Sequence, residues 1–146
     1  MLNCGDTFLT GDEEDSDLHL WIVLTPPTEG EVVTVSVTTR RQKSELLVLL
    51  RVGDHPFICH DSVVSYRYAR IRTVDEIETA LVNGTAKRRE PVSPGQLKRV
   101  RDGLVESDFT AQRGTVLLSG CYAVGDRVGL GFCCRLFWRK GRARNK

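Results

Sequence analysis

The 146-residue sequence has no apolar run that approaches the ~20 residues needed to span a membrane. Its opening stretch, MLNCGDTFLTGDEEDSD, does not place a basic segment before an apolar one, so it does not match a secretory signal. These two absences favour a cytoplasmic protein with no membrane association, in which the five cysteines are reduced thiols. Adjacent Cys133 and Cys134 lack the C-x-x-C spacing of a zinc or redox site, and no cofactor is predicted.

Charge is distributed unevenly, although the formal net charge is only +2. Residues 1–18 hold six acidic and no basic side chains, whereas residues 135–146 hold six basic and no acidic ones. Two more basic groups lie mid-chain, at Lys87–Arg89 and between Lys98 and Arg101. Basic clusters attract polyanions such as nucleic acids. A solvated surface and a disordered basic tail would produce the same pattern, so the charges alone do not decide between these interpretations.

The first half of the chain contains short β-branched runs separated by turn residues. The TPPTEG segment predicts a hairpin between the second and third runs, and acidic Gly11–Asp17 and polar Arg40–Ser44 predict loops. The fourth run is compatible with a helix as well as a strand. The five runs are Asp6–Leu9, His19–Thr25, Glu31–Thr39, Glu45–Val52 and Ser62–Arg72.

The second half changes to a helical period. Thr73 with Glu76 three residues later predicts a helix start, and Asn83-Gly84 predicts its end. Ser93-Pro94 predicts the start of a second helix that extends to about Ser107, with Thr85–Val92 a basic linker or short strand between the two. The predicted fold is therefore mainly β with α (α+β). It is a small barrel or sandwich of about five to six strands followed by two helices at 1–107, with a poorly ordered tail at 108–146.

Reactive and polar side chains are concentrated in the segment Gly53–Arg70, GDHPFICHDSVVSYRYAR. It carries two of the three histidines, one cysteine, two tyrosines and two arginines. Histidine serves as acid or base near neutral pH, and the proline after His55 favours an accessible loop. His55, His60 and Cys59 could also bind a metal, but no fourth ligand follows at a recognisable spacing, so no metal site is predicted.

The order of strands and helices resembles the PemK/MazF group of toxins from type II toxin–antitoxin systems, over about Asp6 to Ser107. Four segments carry the resemblance: GDTF at 5–8, HLWIVLT at 19–25, VSVTT at 35–39 and SVVSY at 62–66. The resemblance implies an SH3-like barrel of the CcdB/Kid type and a homodimer. It also implies a cognate antitoxin and metal-independent cleavage of single-stranded RNA. The chain departs from the group at Ser65, where many members have a catalytic arginine, and at His19-Leu20, where Arg-Pro is usual. It therefore resembles a divergent branch.

The resemblance also implies roles for residues of this chain. His55 or His60 would be the general base, Arg70 or Arg67 would hold the phosphate, and Thr38 or Thr39 would assist with a hydroxyl. Strand alternation separately predicts one face with Ser62, Tyr66, Tyr68, Arg70 and Arg72 if no bulge intervenes. Tyrosines and arginines on one face suit base stacking and phosphate contact. The predicted RNA-binding residues are Ser62, Tyr66, Arg67, Tyr68 and Arg72.

Two other interpretations fit the same residues. The barrel could be a non-catalytic module that has lost the catalytic arginine and binds nucleic acid, a partner protein or an antitoxin peptide. The tyrosines and arginines of Ser62–Arg72 could instead form a barrel wall, with aromatic rings in the core and arginine stems lying along it.

Overall fold

The computed structural model describes residues 1–12 and 15–109. Within this part of the chain, six antiparallel strands curl into a half-barrel accompanied by two helices. The predicted α+β fold of five to six strands and two helices is confirmed. The elements are β1 (Thr7–Asp12), β2 (Asp15–Val23), β3 (Glu31–Thr39), β4 (Leu49–Leu50), β5 (Ser62–Thr73), α1 (Val74–Val82), β6 (Lys87–Arg89) and α2 (Pro94–Glu106).

The sheet has the strand order β4-β5-β3-β2-β1-β6. In the described residues, β4 and β6 form its edges and β3 lies at its centre, between β2 and β5. No helix of the described residues is long and apolar enough to cross a membrane. The predicted tail at 108–146 lies outside the described residues except for Asp108 and Phe109, so the division at residue 107 stays a prediction.

Both faces of the sheet are covered, because successive residues of a strand point to opposite sides. The sheet face that packs against α2, here the α2 face, includes Leu20, Ile22, Val33, Val35, Val37, Val64 and Tyr66, which form one core cluster with Val100 and Leu104 of the helix. The sheet face that packs against α1, here the α1 face, includes Phe8, Trp21, Val23 and Val32, which form another with Ile77 of that helix. Two-sided burial explains why His19–Thr25 is a continuous apolar run instead of an alternating one.

The hairpin and both helix starts are confirmed. β2 and β3 pair antiparallel, and the turn between them has positive φ at Glu29 (52°) and Gly30 (79°), which matches the right-handed twist of a tight hairpin. The Thr73 hydroxyl accepts from the backbone N–H of Glu76 at 3.2 Å at the start of α1. Ser93 and Gln96 form a reciprocal capping box at the start of α2.

Two predictions for the first half need correction. Gly11–Asp17 is not a loop throughout, because β1 extends to Asp12 and β2 begins at Asp15. Of the ambiguous run Glu45–Val52, only Leu49–Leu50 is a strand, and the preceding leucines are exposed. Among the described strands, β4 lies at one edge of the sheet and has a single neighbouring strand, β5. Its two residues pair with Val63 and Ser62 of that strand.

A large bulge interrupts β5 and overturns the predicted shared face. Ser65 pairs with Ser36 and Arg70 with Thr34, so Val35 alone lies opposite the four residues 66–69 of β5. The three extra residues, an odd number, reverse the alternation along the strand. Tyr66 therefore faces α2, whereas Arg70 and Arg72 lie over the Trp21 ring on the α1 face.

Candidate functional site

The end of β3 and the start of β5 form an exposed corner of the sheet. Thr39 pairs with Ser62, and the Arg40 backbone N–H donates to the Asp61 carbonyl at 3.1 Å, which extends the pairing one residue beyond both strands. The residues Cys59 and His60 precede this pair. We call this site the strand-end corner; it comprises Thr39, Arg40, Arg41, Cys59, His60 and Asp61, all of them exposed.

A chain of side-chain contacts runs through His60. Its Nε2 lies 2.9 Å from Thr39 Oγ1, and its Nδ1 lies 3.2 Å from Cys59 Sγ. A neutral imidazole has one N–H, so two arrangements satisfy both contacts. Either the thiol donates to Nδ1 and Nε2–H donates to the threonine, or Nδ1–H donates to sulfur and the Thr39 hydroxyl donates to Nε2. In the second arrangement the Thr39 hydroxyl is polarised by a base.

Backbone contacts hold His60 in place. The buried Ser62 hydroxyl donates to the His60 carbonyl at 3.0 Å. Ser62, predicted to contact RNA, is therefore directed at the protein backbone. The Asp61 carboxylate lies 3.7 Å from the Arg40 guanidinium, so this arginine has a partner of opposite charge within the corner.

His55 lies outside the corner and is buried, contrary to the expectation of an accessible loop histidine. Only 4% of its surface is exposed. The Phe57 N–H donates to Nδ1 at 3.1 Å, so Nε2 carries the proton and donates to the Glu90 carbonyl at 2.7 Å. Thr7 donates to the same carbonyl at 2.7 Å. His55 thus joins the loop before β5 to the segment between β6 and α2.

Only one of the two predicted threonines reaches His60. Val33, Val35 and Val37 lie on the α2 face, so the same alternation puts Thr39 on that side and half-buried Thr38 on the other. The contact between Thr39 and His60 agrees with this alternation.

The predicted phosphate clamp Arg70 is remote from the corner. It pairs with Thr34, five residues before Thr39, which corresponds to roughly 17 Å along β3. It also lies on the α1 face, with its guanidinium carbon 5.6 Å from the centre of the Trp21 ring. Arg72 lies 4.5 Å from the same ring and 3.7 Å from Glu76.

The predicted base-stacking residues separate as well. Tyr66 is 1% exposed and donates its hydroxyl to the Val100 carbonyl at 2.8 Å, so its ring offers no free face to a base. Tyr66 therefore lies in the core and Arg72 lies against the Trp21 ring, which is the placement that the barrel-wall interpretation describes. Tyr68 and Arg67, in the bulge, are exposed, and the Arg67 guanidinium lies 5.9 Å from the Phe109 ring centre.

Of the predicted catalytic residues, the structure brings Thr39 and His60 together but not His55, Thr38 or Arg70. Sequence reasoning missed Arg40, Arg41 and Asp61, and it considered Cys59 only as a metal ligand. These residues come together because β3 pairs with β5, which brings residue 40 next to residue 61. A single sequence does not show which strands are neighbours in the sheet, so it gives no signal for this site. In the described residues, no group of three or more His, Cys, Asp or Glu side chains could hold a metal ion.

No model of a known protein family matches the chain, and no curated protein is significantly similar to it in sequence. Over the described ranges, the architecture is a six-stranded antiparallel half-barrel with helices, without a family assignment.

Proposed function

We propose that the protein is the growth-inhibiting toxin of a toxin–antitoxin pair and a metal-independent endoribonuclease that cleaves single-stranded RNA. The observation that supports this proposal is the exposed contact of 2.9 Å between Thr39 Oγ1 and His60 Nε2. A hydroxyl in contact with an imidazole can accept a proton and pass it on. The half-barrel with two helices is the architecture that a PemK/MazF-like toxin would have. A homodimer and a cognate antitoxin belong to the same proposal.

In the proposed reaction, the ribose 2′-oxygen attacks the adjacent phosphorus while the bond from phosphorus to the 5′-oxygen breaks. His60 Nε2 receives the 2′-hydroxyl proton, either directly or through Thr39, whose hydroxyl accepts this proton and gives its own to Nε2. The departing 5′-oxygen takes a proton from water. The products are a 2′,3′-cyclic phosphate and a free 5′-hydroxyl. Proton transfer by a positioned base contributes roughly 10²–10⁴-fold to such a rate.

The second candidate is a non-catalytic module that binds nucleic acid or a partner protein through the same surface. Two observations favour it: Ser65 stands where many of the toxins have a catalytic arginine, and Arg70 lies on the opposite face from Thr39. An RNase that lacks a preorganised donor for the developing phosphate charge loses roughly 10²–10³-fold in rate. The two candidates therefore differ in whether RNA is cut, not in where it binds.

The test is incubation of the purified protein with single-stranded RNA in the presence of a metal chelator. The proposal expects fragments that end in a 2′,3′-cyclic phosphate, at a rate that falls by roughly 10²-fold or more in His60→Ala. Thr39→Val, which keeps the shape and removes the hydroxyl, is expected to lower the rate as well.

Two variants serve as controls in this assay. His19→Ala removes a histidine of β2 that strand alternation, with Trp21 and Val23, puts on the α1 face, the opposite face from Thr39, and it should cut RNA at the wild-type rate. Arg70→Ala tests the position first predicted for the phosphate clamp and should also be close to wild type. RNA that is bound but stays intact with the wild-type protein would refute the enzyme and favour the binding module.

A further inference from the structure

The strand-end corner carries two adjacent arginines in different electrostatic situations. Arg40 has its guanidinium 3.7 Å from the Asp61 carboxylate, so its charge is largely balanced. Arg41 is fixed only through its backbone, because its N–H donates to Ser44 Oγ at 2.8 Å and its carbonyl accepts from the Ser44 N–H at 3.1 Å. Its guanidinium has no hydrogen bond or ion pair with any residue that the structure describes. Arg41 is therefore the uncompensated cation of the corner.

Strand alternation puts this cation on the same side as the Thr39–His60 pair. Residues two apart in an extended segment point the same way and lie roughly 7 Å apart. Arg41 is two residues after Thr39, and the hydrogen bond from the Arg40 N–H to the Asp61 carbonyl carries the pairing one residue past the end of β3, before the turn at residues 42–43. Continued by one residue, the same register sets Arg41 opposite His60. A long arginine side chain at this place can reach an anion that rests against the Thr39 hydroxyl.

The chemistry of these groups matches a phosphodiester. A guanidinium offers several N–H donors in a planar fork that fits phosphate oxygens, and a threonine hydroxyl offers one more donor. Exposed Tyr68 and Arg67 lie in the bulge opposite Val35, roughly 14 Å along β3 from Thr39, and an exposed tyrosine ring suits stacking of a base. A phosphate site with a stacking surface further along the same sheet fits an extended single-stranded nucleic acid better than it fits an acidic peptide.

We infer that the strand-end corner is a phosphodiester-binding subsite in which Arg41 holds the phosphate beside Thr39 and His60, and that its partner is the backbone of single-stranded nucleic acid. The inference rests on the proposed function in so far as the phosphate held there is the one that would be cleaved. Arg41 then provides the positive charge that a catalytic arginine provides in many of the toxins, at the position where this chain has Ser65. Asp61 limits the strength of binding, because it balances the neighbouring Arg40.

The experiment measures binding of a fluorescently labelled single-stranded deoxyoligonucleotide by fluorescence anisotropy. The probe has no 2′-hydroxyl, so it stays intact whether or not the protein cleaves RNA. Arg41→Gln is expected to weaken binding by roughly tenfold, as for loss of one charge-assisted phosphate contact. It should also make the dependence of log affinity on log salt shallower by about 0.7, the value for one phosphate contact on a single strand.

Two neighbouring substitutions sharpen the test. Arg40→Gln should weaken binding less than Arg41→Gln does, because alternation puts Arg40 on the other side of the segment from Thr39, so its loss changes the local charge without removing the phosphate contact. Asp61→Asn should strengthen binding, since it releases the charge of Arg40. The matched control is Arg89→Gln, which removes an exposed arginine on β6, at the sheet edge away from β5.

The inference is overturned if Arg41→Gln has no larger effect than Arg89→Gln. It is also overturned if inorganic phosphate or polyglutamate, at equal charge concentration, displaces the probe as well as unlabelled oligonucleotide does. The proposed function can fail separately, because Arg41-dependent binding of the probe by a protein that never cuts RNA supports the subsite and refutes the nuclease. RNA cleavage that is unchanged in Arg41→Gln, together with unchanged probe binding, supports the nuclease and refutes the subsite.

Discussion

The two histidines of the segment Gly53–Arg70 are five residues apart, yet they belong to regions with opposite physical character. His55 is 4% exposed, and the protein backbone occupies both ring nitrogens. His60 is exposed, and its ring nitrogens contact two side chains that can exchange protons with it. The difference teaches that a histidine committed to backbone groups supports the fold, whereas one that contacts a hydroxyl and a thiol at the surface is available for chemistry.

Tyr66 belongs with His55 on the buried side of this segment. Its hydroxyl donates to the Val100 carbonyl on α2, and its ring packs where Gly103 leaves room. The buried side, by which we mean His55 and Tyr66 with their contacts, should therefore control stability, and the strand-end corner should control ligand binding and catalysis. Four substitutions test this division, from the largest expected effect on stability to the smallest.

The substitution His55→Ala should have the largest effect on the fold. It removes two hydrogen bonds, leaves the Phe57 N–H without its acceptor and opens a cavity, so we expect the free energy of unfolding to fall by about 2–4 kcal/mol. Urea denaturation followed by circular dichroism measures this change. A change of less than about 0.5 kcal/mol would place His55 with the surface histidines and remove the distinction between the two regions.

The substitution Gly103→Ala should destabilise the contact between α2 and β5. A Cβ at this position would overlap Tyr66 Oη and lie 2.8 Å from Cζ. We expect the free energy of unfolding to fall by about 1–3 kcal/mol from overpacking, even though alanine favours a helix more than glycine does. Gly95→Ala is the matched control in the same helix, because among the described residues no atom beyond its chain neighbours and the local helix backbone lies within 4 Å of its added Cβ. The control should be neutral or stabilising by up to about 1 kcal/mol in the same denaturation experiment. Equal effects of the two substitutions would contradict the packing described here.

The ionisation of Tyr66 predicts a loss of stability in alkali. Burial raises the pKa of the Tyr66 hydroxyl well above its usual value of about 10, and the Glu45 carboxylate raises it further. Above about pH 10 the unfolded chain loses this proton while the folded protein keeps it, so the unfolded state binds fewer protons and the free energy of unfolding falls as pH rises. The contribution is fully present below that pH.

Denaturation at pH values on either side of 10 measures this effect, and Tyr66→Phe supplies the comparison. The variant lacks the ionisable group, so its free energy of unfolding should decline less steeply with pH than that of the wild type. Parallel pH profiles for the two proteins would show that Tyr66 ionises alike in the folded and unfolded states.

The smallest effect on stability is expected for His60→Ala. Its side chain is exposed, and its polar contacts within the described residues are with two other exposed residues, Thr39 and Cys59, so the free energy of unfolding should change by less than about 0.5 kcal/mol. The same denaturation experiment measures it beside His55→Ala. A loss comparable to that of His55→Ala would make both histidines structural and leave the strand-end corner without a candidate base.

Helices and the hairpin were predicted well where the signal lies within a few neighbouring residues. The capping residues Thr73 and Ser93 marked both helices, and the turn before Glu31 marked the hairpin. In the sequence alone, Gly103 is simply a residue that weakens a helix, because the tyrosine ring that requires a glycine there comes from residue 66 of a distant strand. Contacts between remote segments are the information that a single sequence lacks.

The same limit explains the mixed outcome at the candidate site. Alternation along Ser62–Arg72 predicted one shared face, and it failed because the bulge at residues 66–69 has no distinct residue signature such as glycine. Thr39 and His60 were both among the predicted catalytic residues. Arg40, Arg41 and Asp61, which complete the strand-end corner, were not predicted as site residues. Arg40 and Arg41 appeared to be ordinary loop residues because the pairing of β3 with β5 depends on the whole sheet.

The most direct test of the central claim measures the formation of 2′,3′-cyclic phosphate from single-stranded RNA, without metal, by the wild type, His60→Ala and His19→Ala. We predict that His19→Ala matches the wild type, and that His60→Ala keeps the wild-type stability while losing at least roughly 10²-fold in cleavage rate. Cleavage by His60→Ala at the wild-type rate would contradict the assignment of the strand-end corner as the reactive site.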